Sequence, residues 1–306
     1  MTNGQSAPAP PDGSITVRAP AKVNLILRIL DRRPDGYHNL WSIMHTVALE
    51  DEVIMRVTSS SGGITLTCDH EGLSVDDTNL VWKAASAVLS QAGRPVGLEI
   101  ELRKRIPMGG GLGGGSSDAA ATILGLNKLL TLGWSTTKMG EVGQVLGSDV
   151  PFFLYAPSAI VSGRGDQVRA VTIEGERWVV LAKPSFGIET KWAYQELARI
   201  KRGVCPLSTD HVELDHRDRM PWSQLVANAE NDFELPVFAR HSLLQEIKRT
   251  LLGLGAQVAL LSGSGATVFG LFEMESTARR AGAQLAQDRA LNVFVVPTCS
   301  GPLWTS

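Results

Sequence analysis

Six of the seven residues from Gly109 to Gly115 are glycine, and they stand between two segments of opposite periodicity. Upstream, Leu98, Ile100 and Leu102 alternate with Glu99, Glu101 and Arg103, the period of a half-buried strand, and Pro107 closes it. Downstream, Ala119, Ile123, Leu126 and Leu130 fall at steps of four, three and four, so a helix with one buried face is expected, capped by Ser116 or Ser117. The glycines free the backbone to take positive φ and to present successive N–H groups at close range. With the positive end of the helix pointing into the loop, an anion site is expected. A flexible linker is the alternative, but linkers are polar on both sides. No Lys-Ser/Thr follows the last glycine, and no dinucleotide GxGxxG opens a βαβ unit, so a different nucleotide fold is implied.

At 306 residues the chain is long enough for two domains that share an interface. Lys and Arg number 29 against 31 Asp and Glu, so there is no basic excess to track a nucleic-acid backbone and no nucleic-acid partner is expected. Cys68, Cys205 and Cys299 are odd in number and widely spaced, which suggests neither a disulfide framework nor a zinc site and fits a reducing cytoplasm. No apolar run reaches the ~18 residues of a membrane span, and the proline-rich start, residues 1–13, reads as a disordered tail.

Along the chain, Ile15 to Arg18 and Val23 to Ile29 alternate as strands joined by Ala19-Pro20-Ala21-Lys22, and Lys22 and Asn24 then share one face. The polar turn Asp31 to His38 delivers Tyr37 and His38 together, either to stack on a flat base or as a half-buried core edge. Lys138 to Leu146 reads as a helix leading into Ser148-Asp149-Val150-Pro151, where Asp149 is either a turn former or a functional carboxylate. Gly163 to Asp166 is a tight turn. Trp178 to Pro184 is a buried strand, Thr190 caps a helix, and Cys205 to Pro221 reads as an exposed connection. Asn231 to Glu234 is a structural junction. Val258 to Phe272 is a strand, a glycine loop and a strand, Glu275 to Gln287 a helix, and Asn292 to Val296 the closing strand.

Three segments, PAKVNL at 20–25, PMGGGLGGGSSDAA at 107–120 and LLSGSGATVF at 260–269, stand in an order that resembles the three motifs of the GHMP small-molecule kinases. The resemblance implies an α+β fold of two domains: residues 14–174 carrying the phosphate loop and the catalytic pair, and residues 175–306 with a ferredoxin-like arrangement. It implies ATP-dependent phosphorylation in a cleft between them. Together with RRPDGYH and GSDVPFF, it implies as substrate a cytidine diphosphate conjugate of methylerythritol, in the non-mevalonate isoprenoid route.

Carried over from that resemblance, Asp149 takes the proton of the acceptor hydroxyl and Lys22 keeps the carboxylate ionised. Tyr37 and Tyr194 sandwich cytosine, His38 reads its polar edge, and Asn24 makes a substrate-side contact. Pro107, Met108, Gly109, Gly110, Gly111, Leu112, Gly113, Gly114, Gly115, Ser116 and Ser117 form the phosphate loop, with Asn79 and Lys104 near adenine. Gly263, Ser264 and Gly265 close over the site or merely connect two strands. Mg2+ is expected with ATP without a declared ligand, and the chain is expected to act as a monomer or homodimer. Another kinase of the family, acting on homoserine, mevalonate or a sugar, would not need the Tyr37, His38 and Tyr194 set. A nucleotide-binding regulator of the same fold would not need both Lys22 and Asp149.

Overall fold

A computed structural model of the chain describes residues 13–59, 62–201 and 203–301. All of the 1–13 tail except Gly13 lies outside them. The two alternating segments at the start merge into one strand, β1 (Ser14–Arg32), antiparallel to β2 (His38–Ser59). The register slips between Pro20 and Ala21 and again between Asn24 and Ile26. A bulge accommodates a proline that has no N–H to donate, and it re-aims the side chains that follow. Lys22 and Asn24 sit between the two slips.

β3 (Ile64–Cys68), α1 (Leu80–Ala92) and β4 (Gly97–Arg103) follow, then α2 (Gly114–Leu129), α3 (Thr136–Leu146) and α4 (Val150–Tyr155). β5 (Ser158–Gly163), β6 (Gln167–Ala170) and β7 (Thr172–Glu174) lead to β8 (Trp178–Pro184). The chain continues through α5 (Thr190–Ile200), α6 (Thr209–Asp215), β9 (Arg219–Pro221), α7 (Trp222–Ala227), β10 (Glu230–Asn231), α8 (Glu234–Arg240) and α9 (Ser242–Gly253). It closes with β11 (Val258–Leu261), β12 (Val268–Phe272), α10 (Glu275–Leu285) and β13 (Leu291–Pro297).

The larger sheet runs β10-β1-β2-β4-β3, with β5 paired to β2 and β6 to β5. The smaller is antiparallel in the order β11-β12-β8-β13, so its first strand lies between its third and its last, the ferredoxin-like arrangement expected. β10 pairs parallel with β1, Leu27 opposite Asn231, so a division near residue 175 leaves one strand of the first sheet on the far side. The stretch from Cys205 to Pro221, expected to be an exposed connection, instead contains α6 and β9 and docks back on the first sheet. Trp41 Nε1 donates to Asp215 at 2.8 Å, a link between positions too distant in sequence for periodicity to register.

α2 is buried on more than one face: Ser117 to Ile123 are all buried, because β1, α1 and α4 surround it. The expected single apolar stripe was an underestimate. A Cβ on Gly125 would stand 2.1 Å from Met55 Cε, so glycine lets the helix settle on the sheet.

His45 lies inside this packing, its Nδ1 2.6 Å from Ser158 Oγ across the β2–β5 pair and its ring edge-on to Trp222. Burial lowers its pKa to about 4. The unfolded chain therefore binds a proton between pH 6.5 and 4 that the folded chain refuses, and stability falls as pH drops through that window. Between pH 7 and 5 urea denaturation should show wild type losing about 2 kcal/mol more than His45→Gln. Equal losses would mean that His45 is not held neutral.

Candidate active site

Gly109, Gly111 and Gly113 take φ values of +63°, +74° and +73°. Gly113 is itself the N-cap of α2, and neither Ser116 nor Ser117 caps the helix; both lie in its first turn. A left-handed cap is glycine's place. Closeness imposes glycine as well. A Cβ on Gly111 would lie 2.0 Å from Ser262 O, one on Gly110 2.7 Å from Thr267 Oγ1, and one on Gly113 2.9 Å from Phe153 Cζ.

The loop is pinned from two sides. Lys22 N donates to Leu112 O at 2.9 Å, while Thr267 N and Ser262 Oγ donate to Gly110 O and Gly111 O at 3.1 and 3.0 Å. Asn231 holds the third motif in turn, its Nδ2 donating to Leu261 O and Gly263 O at 2.7 and 2.8 Å. Thr190, expected to cap α5, has its hydroxyl 2.9 Å from Ser264 Oγ instead, and Glu189 stands at the cap. A Cβ on Gly263 would meet Gly111 O at 3.2 Å and Lys22 Nζ at 3.3 Å, so the third motif does lie over the pair at Lys22 and Asn24.

Lys22 Nζ donates to Asn24 Oδ1 at 2.6 Å and lies 3.8 Å from Asp149 Oδ2. The Lys22 side chain is 4% exposed and that of Asp149 32%, so the carboxylate is the partner that a solute can reach. Asp149 precedes α4 but makes no side-chain cap bond, which leaves its second oxygen outside the turn. Burial lowers the pKa of Lys22 and the Asp149 charge opposes that shift. Asn24 Nδ2 reaches Ser42 Oγ at 2.9 Å, which fixes the orientation of the amide.

Beside the loop lies a cavity of about 390 Å³ walled by Leu73, Leu80, Leu102 and Ile106, with Asn79, Lys104 and residues 107–115 around it. Asn79 caps α1, its Oδ1 accepting from Val81 N at 2.9 Å. Lys104 is committed below the cavity: its ammonium is bound to Asp51 and, at 2.7 Å, to Asp118 Oδ2. Asp51 also accepts from the backbone of Arg105 and Ile106, which fixes the exit of β4 into the loop. Burial and the nearby Asp51 push the pKa of Asp118 up to about 8 against the pull of Lys104. Asp51 and Asp118 were not singled out from the sequence. Asp51 stood between Glu50 and Glu52 with no pattern to mark it, and Asp118 lay unremarked in the second motif.

His38, at the start of β2, stacks on Tyr194 of α5 with centroids 5.1 Å apart, and Tyr194 packs edge-on to Phe233 at 4.8 Å. Burial, and then the Asp149 charge, raise the Tyr194 phenol pKa, so this ring stands within electrostatic reach of the carboxylate. Burial and Arg32 lower the pKa of His38. Tyr37 is 61% exposed, with the Arg164 guanidinium 5.4 Å from its ring centroid. The ring that faces Tyr194 is thus His38, and Tyr37 stands outside that stack.

Residues 79–157 match the family model described as GHMP kinases N terminal domain, and residues 211–290 match GHMP kinases C terminal. A 4-diphosphocytidyl-2-C-methyl-D-erythritol kinase of Citrifermentans bemidjiense is 43% identical over 280 residues, 92% of this chain and 97% of that protein. A crystal structure of 4-(cytidine 5'-diphospho)-2C-methyl-D-erythritol kinase superposes with a TM-score of 0.78 at 31% identity, covering 94% of this chain and all of that one. A homoserine kinase of Cytophaga hutchinsonii, at 20% identity and a TM-score of 0.73 over 99% of this chain and all of that one, shares the fold.

The loop geometry separates two glycines four positions apart in the structure's demands. Gly111→Ala places a methyl on a carbonyl at positive φ and should cost more than about 2 kcal/mol of stability or abolish nucleotide binding in calorimetry. Gly115→Ala meets only Leu80 Cδ1 at 3.6 Å within a helix, and should be neutral or stabilising by about 0.5–1 kcal/mol. Two variants alike in stability and binding would contradict the close approach.

Proposed function

This chain belongs to the GHMP kinases, and from that premise we propose that it transfers the γ-phosphoryl group of ATP to the 2-hydroxyl of 4-diphosphocytidyl-2-C-methyl-D-erythritol. The observation that carries the reading is the Lys22–Asp149 pair, 3.8 Å apart beside the glycine loop. The polyphosphate lies against the N–H groups of residues 109–115 and the start of α2, where backbone dipoles converge without a side chain in the way. Adenine fills the apolar cavity next to Asn79 and Lys104.

The acceptor hydroxyl approaches the exposed side of Asp149. Its proton passes to the carboxylate as the new O–P bond forms, the bond from γ-phosphorus to the bridging oxygen breaks, and ADP leaves. Lys22 faces Asp149 across the pair and steadies the attacking oxygen. Positioning and charge supply most of the acceleration in such transfers, which is why Lys22 is itself fixed by Asn24. Cytosine is held at the aromatic shelf of Tyr194 and His38, with Tyr37 folding over it from the outer side.

Among the described residues no three His, Cys, Asp or Glu side chains gather as a metal cluster, and Asp51 and Asp118 are already bound by Lys104. Magnesium that accompanies ATP is assigned no ligand here. Among the described residues no helix is long and apolar enough to cross a membrane, and Cys68, Cys205 and Cys299 are free thiols; a cytoplasmic enzyme, monomeric or homodimeric, is part of the proposal.

The direct test is ADP release with the cytidylylated methylerythritol, homoserine and mevalonate side by side; turnover of homoserine or mevalonate alone would replace this substrate. Asp149→Asn should lower kcat by about 10²–10⁴ with little change in nucleotide affinity. Combining it with Lys22→Ala should be hardly worse than the more damaging single change, since the two act as one unit; fully multiplicative losses would assign them independent roles.

For the base pocket, Tyr194→Ala removes a stacking surface worth about 1–3 kcal/mol, or about 5- to 150-fold in KM for the conjugate at saturating ATP. A wild-type KM in that variant would refute the cytidine shelf.

A further inference from the structure

α5 carries Tyr194 but buries little of itself: of its 11 residues only Ala193 and Leu197 are fully buried. Polar contacts hold both of its ends. At the start the Thr190 hydroxyl meets Ser264 Oγ at 2.9 Å, and just past the last turn Lys201 Nζ lies 2.5 Å from Asp232 Oδ1. Lys201 follows Tyr194 by about two helical turns, so both side chains leave the same face of α5, with Leu197 between them. Asp232 is in turn fixed to β1. Its N–H donates to Leu27 O at 3.0 Å, its Oδ2 accepts from Ile29 N at 2.7 Å and lies 3.4 Å from Arg28 Nε, and Oδ1 is left for Lys201. The Asp232 side chain is 7% exposed and that of Lys201 25%. The next residue, Phe233, is the one that packs edge-on to Tyr194.

We propose that Lys201 and Asp232 are positioning residues for the acceptor substrate: their ion pair clamps the end of α5 to β1 and thereby holds the Tyr194 ring where a base can stack on it. This rests on the reading of Tyr194 as the cytidine shelf. Burial of two apolar side chains favours contact but is non-directional, so it leaves α5 free to slide or turn on the sheet. A charge-assisted hydrogen bond at 2.5 Å sets a register that apolar contact does not. Stacking needs that register, because a ring displaced with its helix no longer meets the ligand face to face. Without the Lys201 ammonium Asp232 keeps its contacts to Leu27, Arg28 and Ile29, so the sheet is undisturbed and what is released is the end of α5. Neither residue bonds the glycine loop, Lys22 or Asp149, which separates the clamp from the phosphoryl transfer itself. The junction at 231–233 thus has two duties: Asn231 holds the third motif over the loop, and Asp232 with Phe233 holds the acceptor side.

The test uses the full chain and varies the cytidylylated methylerythritol at saturating ATP. Lys201→Met, which keeps an apolar stem and removes the charge, should raise KM for the conjugate about 3- to 10-fold while kcat and the KM for ATP stay within about twofold of wild type. Lys201→Arg should restore the wild-type KM. Adding Lys201→Met to Tyr194→Ala should raise KM no further than Tyr194→Ala alone, because no ring remains to be positioned. Losses that multiply in the double variant would overturn the proposal, as would a Lys201→Met defect confined to kcat or shared equally by ATP, which is what a general loss of structure produces. Hydrogen exchange needs no acceptor: the amides of residues 194–200 should exchange about 3- to 10-fold faster in Lys201→Met than in wild type. Unchanged exchange would overturn the clamp whatever the kinase accepts, whereas a wild type that leaves the conjugate unphosphorylated would count against the substrate reading instead.

Discussion

One residue of β1 is gripped by three separate stretches of the chain, and the site exists because they meet there. The Lys22 N–H bonds Leu112 of the glycine loop, its carbonyl receives Ser262 Oγ at 3.5 Å, and its ammonium faces Asp149. The first contact ties the glycine loop to β1 of the same sheet, and the second reaches the loop between β11 and β12 of the other sheet. The third places a charge where they meet. Burying an ammonium lowers its pKa, and the Asp149 carboxylate beside it supplies the opposing pull. The pair is therefore coupled by its environment as well as by its chemistry.

The glycines follow from the same convergence. A phosphate loop needs open backbone toward its ligand, but Gly110 and Gly111 are closed on the opposite side, against Thr267 and the Ser262 carbonyl. Packing against the third motif thus demands glycine at these positions by itself, apart from the phosphate proposed on the other side. The loop's rigidity also comes from elsewhere: Asp51 holds the two backbone N–H groups where β4 ends, and Asn231 holds the two carbonyls of the opposing motif. Both are buried polar residues whose bonds run to backbone, which suits them to fixing a conformation more than to adding net stability.

The two halves of the proposed reaction sit on different kinds of support. The nucleotide side is built from backbone and a closed ion cluster. The acceptor side is built from side chains on separate elements, His38 on β2, Tyr194 on α5 and Asp149 before α4, which meet only through tertiary packing. Tyr37 stands outside the stack, exposed and beneath Arg164.

The sequence by itself determined the glycine loop between a strand and a helix, the shared face of Lys22 and Asn24, and the family, because each is written in local spacing or in a contiguous motif. Trp178–Pro184 was legible to the residue, since a continuous apolar run bounded by turn formers leaves little choice. What only the tertiary structure decided is whatever depends on a neighbour distant in the chain. Gly113, left-handed and with Phe153 and Lys22 where a Cβ would stand, took the cap in place of the serines. Thr190 turned from its own helix to Ser264. β10 crossed to the first sheet, and Asp51 and Asp118 closed around Lys104. Periodicity reports which face of an element is apolar, but it carries no information about which other element arrives there, and charge pairing and burial are properties of that arrival.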